Sequence, residues 1–177
     1  GFTYTFDGWT TLPNGGGTKY NIGGTPAATG NATYYAHFAA TEVAATVTAN
    51  GVVSYYPSIA DAFAAANASD YTPTIQVWRD APNTPALTYT AKNHCTLDLN
   101  GHTVSGTDMP LLTINDEGFT FTVTDRTETK EGKLAGTSGV SQAFVVSLVS
   151  GVFRLEAGTV YGQYTASTVM AGVYAGA

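Results

Sequence analysis

The sequence predicts an all-β protein in two parts. Residues 1–41 form a short strand-rich segment, and residues 42–177 form the start of a parallel β-helix, a solenoid of short strands with one capping α-helix at its N-terminal end. Three observations carry this reading. From residue 74 the chain reads TIQVW, LTYT, CTLDL, HTV, LLTIN, FTFTVT, KLAG, AFVVSLV, VFRLEAG, TVYG and VMAGVYA, short runs with period-two alternation set off by turn residues. Three segments, LDLNGHTVSG, EGKLAG and LEAGTVYG, align: their first glycines, Gly101, Gly132 and Gly158, step by 31 and 26, and their closing glycines, Gly106, Gly136 and Gly162, step by 30 and 26. Repeats of roughly 20–50 residues built from short strands point to a solenoid. The third observation is that one stretch alone has convincing helical spacing.

Taken in order, GFTYTFDGWTT alternates aromatic residues with Thr and reads as a strand, LPNGGGTKY as a long turn, and GNATYYAHF as a second strand. A lone hairpin is marginal in water, so this part is too small for a core of its own. AATEVAATVTANG, residues 39–51, reads as a soft connector holding one strand, EVAATVTA. In SIADAFAAANA, Ile59, Ala62, Phe63 and Ala66 fall on one helical stripe, Ser58 and Asp61 make a capping box, and Pro57 precedes them. This helix, over 58–68, is expected to cover the open end of the first coil. LLTIN, AFVVS and VMAGV form a second interleaved series. Leu97, Leu99, Ile114, Val146, Leu155 and Val160 are expected to line one continuous interior.

Composition narrows the function classes. Of 177 residues, 44% are hydrophobic, enough for a core, but only 11% are charged, against about a quarter in ordinary soluble domains. Solubility must rest on Thr, Ser, Asn, Gly and Tyr, as in extracellular β-proteins. Seven basic residues at a net charge of −6 cannot neutralise a phosphate backbone or an anionic bilayer, so nucleic acid is not an expected partner. No stretch approaches the roughly 20 apolar residues of a membrane span, and membrane insertion is not expected. One cysteine, Cys95, excludes a disulfide framework within the chain and a multi-cysteine metal site. At the start of an alternating run it reads as a small buried hydrophobe.

Asp98, Asn100 and His102 lie within five positions in LDLNGH. A carboxylate, an amide and an imidazole invite a catalytic reading, but a catalytic His needs a fixed partner, and no spacing fixes one. The alternation instead turns Leu97, Leu99 and Val104 inward and Thr96 and Asp98 outward. Asn100-Gly101 then makes a corner, and His102 falls at an edge equivalent to Lys133 and Thr159. The remaining acidic candidates are Asp80 beside Arg79, Asp116-Glu117, Asp125-Arg126, and Glu156 near Arg154, all expected as surface carboxylates. Asp98 and Glu156 should lie two coils apart, about 10 Å at about 4.8 Å per coil, just beyond the roughly 6.5–9.5 Å of an inverting carboxylate pair. The charged run DRTETKEGK, residues 125–133, reads as a solvated loop. NDEG, residues 115–118, has the flavour of a calcium loop without its spaced ligand series. Tyr161, Tyr164 and Tyr174 crowd the last coil. TVMAGVYAGA leaves an edge with no charge, Pro or covering element after Val173-Tyr174, so further coils are expected beyond Ala177, and edge-to-edge self-association without them.

Two resemblances accompany these readings. Residues Phe6, Gly8, Trp9, Thr11, Thr33, Tyr35, Ala36 and Phe38 match the pattern of the internalin-type B repeat (the Listeria–Bacteroides repeat), with Phe38 at the usual closing Trp and the family's first strand missing. The segments SIADAFAAAN, TIQVWRDA, CTLDLNGHTV and FRLEAGTVYG resemble the right-handed, pectate-lyase-like β-helix modules of bacterial surface proteins. The first resemblance implies a partial β-grasp-like spacer. Together they imply a non-catalytic module of a secreted or wall-anchored bacterial surface protein, a stalk or adhesin that contacts a host protein or glycan, with no cofactor, metal or catalytic residue. A polysaccharide lyase or glycoside hydrolase on the same scaffold is the alternative.

Overall fold

The computed structural model describes residues 1–24, 30–138, 144–164 and 171–175. The chain divides into two compact units, Gly1–Glu42 and Val43–Ala177. The fold is all-β with one helix among the described residues.

The first unit is an antiparallel sheet of β1 (Phe2–Thr10), β2 (Lys19–Tyr20) and β3 (Tyr35–Glu42), in the order β2-β1-β3. Asp7 is an extra residue, since Phe6 pairs with Phe38 and Gly8 with His37. Gly8, at φ 139°, sits where a Cβ would come within 2.2 Å of the Tyr20 carbonyl oxygen, so the bulge requires glycine. Asp7 accepts from the Lys19 ammonium and pairs with His37. The Phe6 ring meets Trp9 and Phe38 edge-on at 5.4 and 5.6 Å, so three of the repeat-like positions form one aromatic cluster. Phe2, Tyr4, Trp9 and Phe38 nevertheless stay largely exposed.

In the second unit, β4 (Ala45–Ala49) and β5 (Val52–Tyr56) form a hairpin closed by Asn50-Gly51, both at positive φ. Next come α1 (Ile59–Asn67), β6 (Thr74–Val77), β7 (Leu87–Tyr89), β8 (Cys95–Asp98), β9 (Thr103–Gly106), β10 (Leu112–Thr124), β11 (Lys133–Ser138), β12 (Phe144–Leu155), β13 (Thr159–Tyr164) and β14 (Ala171–Ala175). One sheet runs β14-β12-β10-β8-β6-β4-β5, with β7 also beside β10, and a second runs β13-β11-β9. Among the described residues, β6 and the strands after it pair with one another in parallel throughout. From β8 onward consecutive strands alternate between the two sheets. The closing glycines Gly106, Gly136 and Gly162 share one row, and Thr103, Lys133 and Thr159 another.

Three expectations change here. The strand expected within 39–51 is present as β4, but the segment is no soft connector: Val43, Ala44, Ala45 and Val47 are buried, because β4 lies inside the sheet between β5 and β6. The sheet is therefore mixed and not wholly parallel, with β4 antiparallel to both neighbours. The free edge of β6 is consequently covered by this hairpin and not by the helix. The helix instead closes the apolar interior. Ser58 caps it, its Oγ accepting from the Asp61 amide at 3.1 Å, and Ile59, Ala62, Phe63 and Ala66 are buried. Phe63 stacks on Phe121 at 6.0 Å, and Phe121 meets Tyr89 edge-on at 5.1 Å.

The core is built from rows of like residues, such as Ile75, Leu97 and Val123. Leu97, Leu99, Ile114 and Val146 are fully buried, and Val160 packs against the core. Leu155 departs from expectation at 45% exposure. It continues the row past Val123, but among the described residues no strand pairs with β12 beyond it, because β14 pairs only with Phe144–Leu148. Asp98 also departs: expected outward, it is fully buried.

Candidate functional site

The LDLNGH stretch folds as a corner. His102 N donates to the Leu99 carbonyl at 2.9 Å, with Asn100 at φ 50° and Gly101 at φ 79° between them. The Asn100 side chain donates to the Val77 carbonyl at 2.9 Å, tying the corner to the neighbouring strand. Asp98 accepts from Asn100 N at 3.1 Å, from Arg126 N at 3.2 Å and from Gln76 Nε2 at 3.3 Å. It is sealed because the Asp125-Arg126 corner folds over it. Alternation sets which side of a strand a residue leaves from, but not what the next turn of chain lays on top.

The same device recurs at successive corners. Asp80 accepts from Thr103 N at 2.8 Å, with His102 Nδ1 at 3.5 Å from the same carboxyl oxygen. Asp125 accepts from Gly101 N at 3.1 Å, Thr127 N at 2.9 Å, Thr127 Oγ1 at 2.6 Å and Gly132 N at 2.6 Å. Burial pushes the Asp125 carboxyl up, but the bonds from Thr127, Gly132 and Gly101 outweigh it and hold its pKa below the ordinary carboxylate value. The charged run 125–133 is thus a solvated loop only in its middle: Asp125 and Gly132 at its ends are buried. Asp98 and Asp125 both serve as acceptors for backbone N–H groups.

No family model, curated protein or solved structure matches the chain. Among the described residues, no group of three His, Cys, Asp or Glu is placed to hold a metal ion, and no helix is long and apolar enough to cross a membrane.

The other sequence candidates scatter. Arg154 and Glu156 pair with each other at 3.2 Å on the surface. Val123 pairs with Leu155 and Thr124 with Asp98, which sets Glu156 two strands from Asp98. Cys95 is buried, and burial raises its thiol pKa to about 12. Arg79 donates to the Pro57 carbonyl at 3.3 Å. Tyr161 is half exposed, while the side chains of Tyr164 and Tyr174 lie outside the described residues.

One acidic residue behaves differently from the corner carboxylates. Asp116 is 4% exposed, its Oδ2 is buried with no hydrogen-bond partner, and burial raises its pKa despite the nearby His94. It was expected on the surface beside Glu117. It lines a cleft of about 430 Å³ together with Thr90, Lys92, Asn115, Glu117 and Phe119. Sequence reasoning marked NDEG as a loop but had no signal for this burial, which arises from an irregularity in the pairing of β10 with β12.

Proposed function

We propose that this chain is a non-catalytic module of a secreted bacterial surface protein, an internalin-type repeat followed by a right-handed parallel β-helix, serving as a stalk or adhesive surface for host protein or glycan contact. The observation that carries the proposal is the use of acidic side chains: Asp80, Asp98 and Asp125 fasten successive corners through backbone N–H groups. Carboxylates committed in this way support a repeating scaffold. The helical-coil reading draws support from the parallel pairing of β6 onward and from the glycine row at Gly106, Gly136 and Gly162. The adhesive reading draws support from the first unit, where Phe6 and Phe38 pair directly and Phe2, Tyr4 and Trp9 stand exposed. Exposed aromatic groups of this kind mark contact surfaces more often than chance. Extracellular placement rests on the low charge content and the two resemblances.

The test incubates the full chain with panels of neutral and acidic polysaccharides and host cell-surface proteins, following both retention and product release. Retention without new reducing or unsaturated ends supports a binding module. Sustained release of such ends, abolished by Asp98→Ala or Glu156→Ala, overturns it in favour of a polysaccharide lyase or hydrolase.

A further inference from the structure

Strand β1 uses only part of one of its edges. On one side it pairs with β3 along its whole length, from Phe2 to Thr10, while on the other β2 pairs only with Trp9 and Thr10. Among the described residues, nothing pairs with that second edge over residues 2–6. An open edge is a template for another strand, and folded proteins commonly blunt it with charge, Pro or a covering element. The stretch here, FTYTF, contains no charged residue, no Pro and no Gly. Pairing with β2 starts only beyond the Asp7 bulge, which bounds the open edge to these residues.

FTYTF reads identically in both directions. Two copies paired antiparallel about a two-fold axis at Tyr4 therefore set like against like: Tyr4 opposite the partner's Tyr4, Phe2 opposite the partner's Phe6, and Thr3 opposite the partner's Thr5. Aromatic pairs and Thr–Thr pairs are among the cross-strand combinations that favour an antiparallel ladder. The faces agree as well. Phe2, Tyr4 and Phe6 alternate onto one side of the sheet, together with Phe38 and Ala40, which pair with Phe6 and Tyr4. On that side Phe2 is 58%, Tyr4 66% and Phe38 52% exposed. Two-fold pairing carries this aromatic surface across the junction, because the row of Phe38 and Phe6 in one copy continues into the partner's Phe2.

We propose that this edge binds a second copy of the chain, with β1 pairing antiparallel to β1 of the other copy about a two-fold axis at Tyr4. An edge that matches itself under a two-fold rotation has the geometry of an isologous dimer. One strand edge is a smaller contact than the roughly 1,200–2,000 Å² of a standard stable interface, so the dimer forms in a concentration-dependent equilibrium. The inference stands independently of the surface-module reading.

The test is analytical sedimentation of the full chain over a concentration series, carrying Val173→Lys throughout so that the β14 edge does not contribute. The chain should pass from monomer to dimer, and Tyr4→Phe should retain the dimer. Tyr4→Lys and Tyr4→Glu, which set like charges opposite each other, should each weaken it by about tenfold or more. An equal mixture of those two variants should associate again. Tyr4 is exposed, so these changes leave the fold in place, and an unchanged circular dichroism spectrum verifies it. Cysteine crosslinking in a Cys95→Ala background reads the register. Directly opposed residues lie about 4.5–5.5 Å apart, within disulfide reach, so Tyr4→Cys should oxidise to a covalent dimer. Phe2→Cys should not, since Phe2 and the partner's Phe2 stand about 13 Å apart along the ladder. A chain that stays monomeric at every concentration overturns the proposal and leaves the aromatic face to another occupant, such as a glycan. A dimer that Tyr4→Lys leaves unchanged overturns it too, as does crosslinking of neither cysteine variant or of both alike.

Discussion

Replacing Asp125 by Ala removes one acceptor from two corners at once. In the native chain its Oδ1 takes the Gly101 and Thr127 amides and its Oδ2 takes the Gly132 amide. The Thr127 contact is local, and water can replace much of it because the chain beyond it is exposed. Gly132 N is the costly loss, since Gly132 is buried and the carboxyl fills the space over it: a Cβ on Gly132 would lie 2.6 Å from Asp125 Oδ2. At about 1–3 kcal/mol for a buried donor left unsatisfied, losing the acceptor of Gly132 should cost about 1–3 kcal/mol, while the amide of the exposed Gly101 can turn to water. That is a sizeable part of the roughly 5–15 kcal/mol that holds a domain together. Asp125→Asn should cost less, because one oxygen remains. Urea unfolding at neutral pH, followed by far-ultraviolet circular dichroism and extrapolated linearly, measures both. The pH dependence gives a second readout. The folded pKa of Asp125 is lowered, so its contribution is fully present above the ordinary value of 3.8 and is lost as pH falls through the lower folded value. Asp125→Asn should flatten that acid limb. A cost below about 0.5 kcal/mol for Asp125→Ala, within the range of ordinary surface substitutions, would refute the claim that this carboxylate fastens the corners.

Phe63→Ala should cost about 3–5 kcal/mol, because its ring is buried against Phe121; a loss below about 1 kcal/mol in the same unfolding experiment would mean α1 does not close the interior. Asp116 has the opposite sign from Asp125: its folded pKa is raised, so stability falls as pH rises from the ordinary 3.8 through the raised value. Asp116→Asn should therefore be at least as stable as the native chain at neutral pH, and a clear loss of stability there would show that the carboxylate has a partner in the fold. Strand β14 stands at the end of its described sheet, and light scattering over a concentration series should show self-association that Val173→Lys suppresses; a monomer at all concentrations would refute edge-to-edge pairing.

The legible parts of the fold were those governed by local rules. The Ser58 cap, the apolar stripe of α1 and the Asn100-Gly101 corner follow from capping, periodicity and left-handed backbone preference, and each stands as read. The closing glycines align because a parallel row repeats the same demand. At Gly106 a Cβ would come within 2.3 Å of the Thr84 carbonyl oxygen, and at Gly136 within 2.5 Å of the Met109 sulfur. The first glycines align less well: Gly132 and Gly158 share a row, but their partner is His102 rather than Gly101, since Thr103 pairs with Lys133. The Asn50-Gly51 hairpin was equally legible, as an Asn-Gly pair between alternating runs, and went unread although the strand before it, EVAATVTA, was expected. The burial of Asp98, Asp116 and Asp125 was not legible. It depends on which later turn of chain covers each residue, and on a pairing irregularity at 116–119 that leaves no compositional mark. For the same reason the cleft beside Asp116 emerged from the structure while the sequence drew attention to LDLNGH.

The central claim is that acidic corners hold successive parallel strands in fixed register. Thr96 and Thr122 are direct partners on β8 and β10, and Thr74 lies one strand further on, paired with Thr96. Neighbouring strands stand about 4.8 Å apart, inside the roughly 4.4–6.8 Å window of Cα separations that a disulfide spans; strands two apart do not. In a Cys95→Ala background, the pair Thr96→Cys and Thr122→Cys should oxidise to an intramolecular crosslink, while Thr74→Cys and Thr122→Cys should not. Crosslinking of the second pair, or of neither, would contradict the parallel register on which the account rests.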